Sequence, residues 1–242
     1  MVLSLDRWVG KVAVVTGASA GIGAAVSEAL VKNGINVAGL ARRQGPLDAM
    51  ANKLKGLRGK FYPVQADLSK EEDVKKGFKW VLDNVGPVAI LVNNAGVYFP
   101  NTLIDGDAQK WKQTFDTNVL GVCVATREAI KQMKDHKIDG HIFHMNAILG
   151  HRVQNIPNFS VNPACKFAIT ALAETLRYEI NGQNLKIKIT SISPGYVETT
   201  LKIPGLKGLN PEDIADAIVY GLSTPPHVQV SEITVQIIND PM

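Results

Sequence analysis

Short apolar, β-branched runs alternate with longer segments of helical period along almost the whole chain, and this rhythm constrains the fold more than any other feature. KVAVVTG is followed by IGAAVSEALVKNG, then by INVAGLA, then by a polar helix expected from Pro46 to Leu57. The order is therefore βαβα. It continues through KFYPVQADL, a helix over Lys70 to Asn84, VAILVNNAG, a long helix over residues 107 to 135, GHIFHMNA, a helix from Pro163 to Ile180, and IKITSISPG. With VSEITVQ the expected strands number about seven. Runs such as VAILV are apolar throughout, as strands buried on both faces of a parallel sheet are. The sequence shows no break in composition, no repeat and no low-complexity stretch, so residues 1–242 are expected to form one α/β domain with a doubly wound parallel sheet.

Charge excludes some partners. Lys and Arg number 26 against 22 Asp and Glu, a formal net charge of +4, without a run of five or six like charges. Neither nucleic acid nor a membrane surface is expected. The first residues, MVLSLDRWVGKVAVV, carry an acid and an arginine within their apolar stretch, which does not suit a secretory leader. Cys123 and Cys165 fall in expected helices and read as free thiols. A cytoplasmic location follows as an expectation.

After the first strand comes Thr16-Gly17-Ala18-Ser19-Ala20-Gly21-Ile22-Gly23, running into a helix whose Ile22, Val26 and Leu30 share a face. Glycines there turn the chain sharply, admit the backbone close to a pyrophosphate, and leave the helix N-terminus aimed at that anion. The second strand ends on Arg42 and Arg43 rather than on an acid. A carboxylate would bind the ribose hydroxyls of NAD, whereas a guanidinium pairs with a 2′-phosphate, so NADP(H) is the expected cofactor. Asp67 ends the third strand, where it can accept from an adenine or cap the segment at Ser69.

In their order these motifs resemble the classical short-chain dehydrogenase/reductase family, a single-domain Rossmann fold. TGASAGIG, ADL, NNAG at Asn93 to Gly96, Asn118 in TNVLG, Lys166, and PGYVET at Pro194 to Thr199 carry the resemblance over essentially the whole chain. GHRV at Gly150 to Val153, FAITALAETLR and LNPEDIADAIVYGLSTPPHVQV are similar to the NADP-dependent branch of insect farnesol dehydrogenases and cytosolic carbonyl and steroid reductases. The resemblance implies Gly17, Ser19, Gly21, Ile22 and Gly23 at the pyrophosphate, Arg42 and Arg43 at the 2′-phosphate, and Asp67 with Leu68 at the adenine. It implies Asn94, Gly96 and Lys166 near the ribose, and Pro194, Gly195, Val197 and Thr199 near the nicotinamide.

The family's catalytic set is Asn, Ser, Tyr and Lys. Asn118 and Lys166 match it, but the serine position falls on Ala147 and the tyrosine position, four residues before Lys166, falls on Asn162. An amide does not ionise and a methyl group donates no hydrogen bond, so the proton donor and the oxygen-binding donor are expected to be absent. Tyr98, just beyond NNAG, is the best surrogate acid. His141 and His144, three apart on a strand, face opposite ways and do not suggest a metal site, and His151 and Ser160 suggest no rescue. The resulting expectation is an NADP(H)-binding protein that holds a small lipophilic ligand of terpenoid, retinoid or steroid type without turning it over. The rival is a working NADP-dependent oxidoreductase with a surrogate donor. A lid or surface loop is expected over residues 199 to 209. Wide apolar arcs, including Val119, Val122, Val124, Ile130, Phe167, Ile169, Leu172 and Leu176, lead to the expectation of a homodimer or homotetramer.

Overall fold

Each β-branched run becomes a strand of one parallel sheet, because a crossover returns the chain to the same end of the sheet before each strand begins. The computed structural model describes residues 3–199 and 207–238. Its strands are β1 (Val12–Thr16), β2 (Asn36–Ala41), β3 (Phe61–Gln65), β4 (Val88–Asn93), β5 (His141–Met145), β6 (Lys188–Pro194) and β7 (Glu232–Val235). They form a seven-stranded sheet in the order β3-β2-β1-β4-β5-β6-β7, with every pair parallel. The fold is the expected single-domain Rossmann arrangement.

The helices are α1 (Gly21–Lys32), α2 (Gln44–Lys53), α3 (Glu71–Asn84), α4 (Ala108–Phe115), α5 (Gly121–Asp135), α6 (Asn162–Gly182) and α7 (Pro211–Ser223). They cover both faces of the sheet, so alternate residues of one strand enter different cores. Ala13 and Val15 of β1 pack with Val26 and Leu30 of α1 and Ile214 and Ile218 of α7. Val12 and Val14 pack on the opposite side with Phe78 of α3 and Ala129 and Met133 of α5. Hence the strand reads apolar at every position.

Several boundaries differ from the sequence expectation. The helix expected over Pro46 to Leu57 runs instead from Gln44 to Lys53, and the chain leaves it through Gly56, whose φ of +87° suits glycine. The single helix expected over 107 to 135 changes hydrogen-bond register midway: α4 passes through a π-helical turn at Asp116–Leu120 before α5 begins. Helix α7 was not expected, although Asn210 and Asp213 form a capping box around Pro211. The loop expected over 199 to 209 falls mainly on residues 200–206, outside the described residues. Its stems are tied, since Glu198 N–H donates to Leu209 O at 2.8 Å and Leu209 N–H to Tyr196 O at 2.9 Å. Among the described residues no helix is long and apolar enough to cross a membrane.

From β1 the chain moves outward through β2 to β3, then returns to place β4 on the other side of β1. Crossovers on either side of this reversal leave opposite faces, which opens a crevice above the C-terminal ends of β1 and β4. This reversal of strand order marks where a ligand can lie.

Candidate active site

The crevice begins as a groove of about 360 Å³ at the end of β1. Gly17 and Gly21 stand at φ +69° and +53°, a left-handed conformation that side chains with a Cβ rarely adopt. Gly23 lies behind the groove rather than on its wall: a Cβ there would meet Gly17 O at 2.3 Å and Asn94 Nδ2 at 2.5 Å. Asn94 braces the turn, donating from Nδ2 to Thr16 O at 2.9 Å. Thr16 Oγ1 in turn accepts from Asn94 N–H at 3.0 Å and Ala95 N–H at 2.9 Å. Ala20, the N-cap of α1, offers no side-chain bond, so the first N–H groups of that helix remain available to an anion.

Gly17, Ser19, Gly21, Ile22, Arg42, Arg43, Asp67, Leu68, Asn94, Gly96 and Thr199 all line this groove, as expected. Asp67 is its one acidic side chain among the described residues. That carboxylate accepts from Ser69 N–H at 3.0 Å and Ser69 Oγ at 2.8 Å, so it secures the turn before α3 while still facing the groove. A cradle without Cβ atoms, an uncapped helix N-terminus and two guanidinium groups at one end fit a dinucleotide. The first would admit a pyrophosphate, and Arg42 and Arg43 would hold a further phosphate.

Beyond the groove lies a second cleft of about 540 Å³, lined by Pro194, Gly195, Val197, Asn118, Ala147, Asn162, Lys166 and Tyr98 among others. Asn118 projects from the π-helical turn, and its side chain grips the backbone of Val97 twice, accepting from N–H at 2.8 Å and donating to the carbonyl at 2.9 Å. Lys166 lies one turn into α6 and donates from Nζ to Met145 O at 2.8 Å. Burial lowers its ammonium pKa to about 8. Ala147 is extended, with φ −167°, and presents a methyl group to the cleft. Asn162 opens α6; its Nδ2 turns back to donate to Phe159 O at 2.9 Å. Thus the four positions singled out in the sequence meet in one cavity.

Tyr98 stands on the same wall, its hydroxyl 3.4 Å from Asn158 O and its ring centroid 4.8 Å from that of Phe159. Asn101 N–H donates to Asn158 O at 3.0 Å, which fastens the loop after β4 to the loop before α6. The histidines do not enter the cleft. His144 is buried, with Nδ1 3.2 Å from Asn93 Nδ2, and desolvation lowers its pKa to about 4. His141 stacks on Phe143 on the other face, and His151 Nε2 meets Glu232 Oε1 at 2.6 Å. Gln154, Ile156 and Phe159 also line the cleft and had no signal in the sequence, because they come from a loop without hydrophobic period, while Tyr196 lines it from within the PGYVET motif.

Sheet order, glycine cradle and adjoining cleft define the class: a Rossmann-type α/β protein of dinucleotide-dependent architecture. A family model described as short chain dehydrogenase matches residues 11–207, and the chain belongs to the short-chain dehydrogenase/reductase family. It is 45% identical over 240 residues to a protein of Aedes aegypti named farnesol dehydrogenase, covering 96% of this chain and 98% of that one. It is 42% identical over 246 residues to human dehydrogenase/reductase SDR family member 11, covering 95% of each. Among solved structures, an alcohol dehydrogenase from Thermococcus sibiricus complexed with 5-hydroxy-NADP matches with a TM-score of 0.86 and 28% identity, over 96% of this chain and 98% of that one.

Proposed function

We propose that this chain binds NADP(H) and holds a small lipophilic ligand beside it without catalysing its oxidation or reduction. The observation that carries the reading is the pair Ala147 and Asn162, which face the cleft alongside Lys166 and Asn118. In the family pattern those two positions hold the serine and tyrosine that bind the reacting oxygen and exchange its proton. A methyl group can do neither, and the Asn162 amide is turned to the Phe159 carbonyl. A placed general acid contributes about 10²–10⁴ in rate and an oxyanion donor about 10²–10³. These factors do not multiply when the groups act as a unit, yet either loss alone would leave hydride transfer very slow.

Arg42 and Arg43 support NADP(H) over NAD(H). Apolar walls contributed by Ile148, Leu149, Ile156 and Phe159 support a lipophilic ligand. The free thiols Cys123 and Cys165 suit a cytoplasmic setting. A rival reading, an active alcohol or carbonyl oxidoreductase, draws on the dehydrogenase names of the relatives and on Tyr98 as surrogate acid. Against it, the Tyr98 hydroxyl is directed to Asn158 O.

Purified protein assayed with NADPH and NADP⁺ against terpenoid alcohols and aldehydes, retinal and ketosteroids tests the proposal. Turnover is expected to be absent or barely measurable, with partial recovery in the double variant Ala147→Ser/Asn162→Tyr. Turnover by the unaltered protein on the order of 1 s⁻¹ or faster would overturn it. Calorimetry is expected to give tighter binding of NADPH than of NADH, with Arg42→Asp narrowing or reversing the preference.

A further inference from the structure

We propose that residues 153–160 form a gate over the second cleft and that Asn162, at the family's proton-donor position, is the latch that keeps it shut. The inference rests on the reading of this cleft as a ligand-holding cavity and goes on to say how a guest enters and leaves. The segment runs from the turn after β5 to α6 and supplies Gln154, Ile156 and Phe159 to the cleft wall. Val153, Asn155 and Pro157, which alternate with the first two of these, are exposed. One side of the segment thus faces solvent and the other the cavity, a wall one chain thick.

The closed conformation carries a cost in its backbone and in its buried polar groups. Asn158 and Ser160 flank Phe159 at φ +61° and +46°, the left-handed region that residues with a Cβ rarely adopt. Such residues persist only where the surrounding contacts hold them there. Among the described residues neither Ser160 Oγ nor Gln154 Nε2, both buried, has a hydrogen-bond partner. Water would satisfy both once the segment lifted. Strain and desolvation therefore press it outward.

What opposes that pressure is gathered at two carbonyl groups. Asn158 O accepts from Asn101 N–H at 3.0 Å and from the Tyr98 hydroxyl at 3.4 Å, and the Phe159 ring lies against that of Tyr98. Phe159 O accepts twice from Asn162, from N–H at 3.0 Å and from Nδ2 at 2.9 Å. Asn162 is buried and opens α6, so it anchors to a long helix the residue between the two left-handed ones. A short amide can donate to a carbonyl three residues back, whereas a phenol hydroxyl stands a ring's length from its own backbone. The replacement that removes the proton donor thereby supplies the latch. A segment held by a few bonds against stored strain opens locally, without unfolding of the sheet. Lifting it withdraws Ile156 and Phe159 from the wall and lets an apolar guest pass.

Amide exchange and probe release, measured on the full-length protein in the presence of NADPH, test the gate. In the unaltered protein Asn101 N–H is expected to exchange with a much shallower dependence on urea than the amides of β4 and β5, as local opening gives. Nile red, a neutral lipophilic dye, is expected to bind and to be released on mixing with excess farnesol. Asn162→Ala is expected to speed that release and the exchange of Asn101 N–H by one common factor, about two- to tenfold, the worth of one neutral hydrogen bond. Asn101 is held by Asn158 rather than by Asn162, so a change confined to the shape of the cleft would speed release alone, and that result overturns the inference. Exchange of Asn101 only through global unfolding overturns it even if the variant does not fold. So does release unchanged in Asn162→Ala. In each of these cases a bound dye leaves the ligand-holding reading standing. Failure of Nile red to bind defeats that reading and this inference with it.

Discussion

A single methyl group is large on the scale of the glycine cradle, and its effect differs sharply between two glycines only 22 positions apart in the chain. At Gly23 the added Cβ meets Gly17 O at 2.3 Å, backbone that holds the left-handed turn, whereas at Gly45 it meets nothing within 4 Å. Gly23→Ala is therefore expected to cost about 1–3 kcal/mol and to weaken NADPH binding tenfold or more, because relief of the clash displaces the cradle. Gly45→Ala, in the exposed first turn of α2, is expected to be neutral or to stabilise by up to about 1 kcal/mol. Thermal melts and calorimetry on the two variants check the contrast; unchanged NADPH affinity in Gly23→Ala would refute the close-approach argument. At this scale the sequence was most legible where chemistry is tied to a local turn. Gly17, Arg42 and Asp67 could be placed from strand ends alone. Gln154 and Phe159 could not, because only long-range packing brings their loop over β5 and against Tyr98.

The π-helical turn is the element that converts an ordinary helix into part of the cleft. One extra residue per turn rotates Asp116–Leu120 out of the α register, and Asn118 thereby reaches the backbone of Val97. Asn118→Ala would leave one N–H and one C=O of a partly buried segment unsatisfied, at roughly 1–3 kcal/mol for each group that water does not reach. A lower denaturation midpoint and faster amide exchange at Val97 are expected; exchange unchanged by the substitution would show that Asn118 does not hold this segment. No sequence pattern disclosed the turn, since hydrophobic spacing on either side fits one uninterrupted helix. Helix α7 is hard to read in the sequence for a different reason. Its capping signals, Asn210, Pro211 and Asp213, follow directly on a stretch whose glycines and proline interrupt the apolar pattern as a loop does. The seven strands, by contrast, were legible because burial on both sides leaves an unbroken apolar run.

For the molecule as a whole, two buried histidines set the response to acid. His144 is neutral with a pKa of about 4, and His141 is lowered by burial and then by Lys188 and Arg7. Unfolding restores an ordinary value near 6.5, so between that pH and about 4 the unfolded chain binds more protons than the folded one. Stability is then expected to be unaffected by these groups above pH 7 and to fall as pH drops through this window. The loss reaches on the order of 3 kcal/mol for His144. Urea midpoints at pH 7 and pH 5 measure it, and His144→Asn should flatten the slope. A second expectation concerns the surface of α5 and α6. Val122, Val124 and Ile169 of the apolar arcs are buried within one chain, whereas Phe167 is 42% exposed and Leu120 54%. Between the same two helices a cavity of about 330 Å³ is lined by Ile130 of α5 and Leu172 and Leu176 of α6. Cover by a second copy predicts at least a dimer by light scattering at micromolar protein; a monomeric mass would exclude it.

The dinucleotide groove and the second cleft share a wall made of Ile22, Asn94, Gly96, Val97 and Thr199. Ligands bound as proposed would meet across that partition. Whatever factor NADPH imposes on the affinity for the lipophilic guest, the guest must impose on the affinity for NADPH, because the free energies around a closed cycle sum to zero. On the proposed reading, and whatever the turnover, retention of the guest would then depend on whether the groove holds its dinucleotide, by the same factor as retention of the dinucleotide depends on the guest.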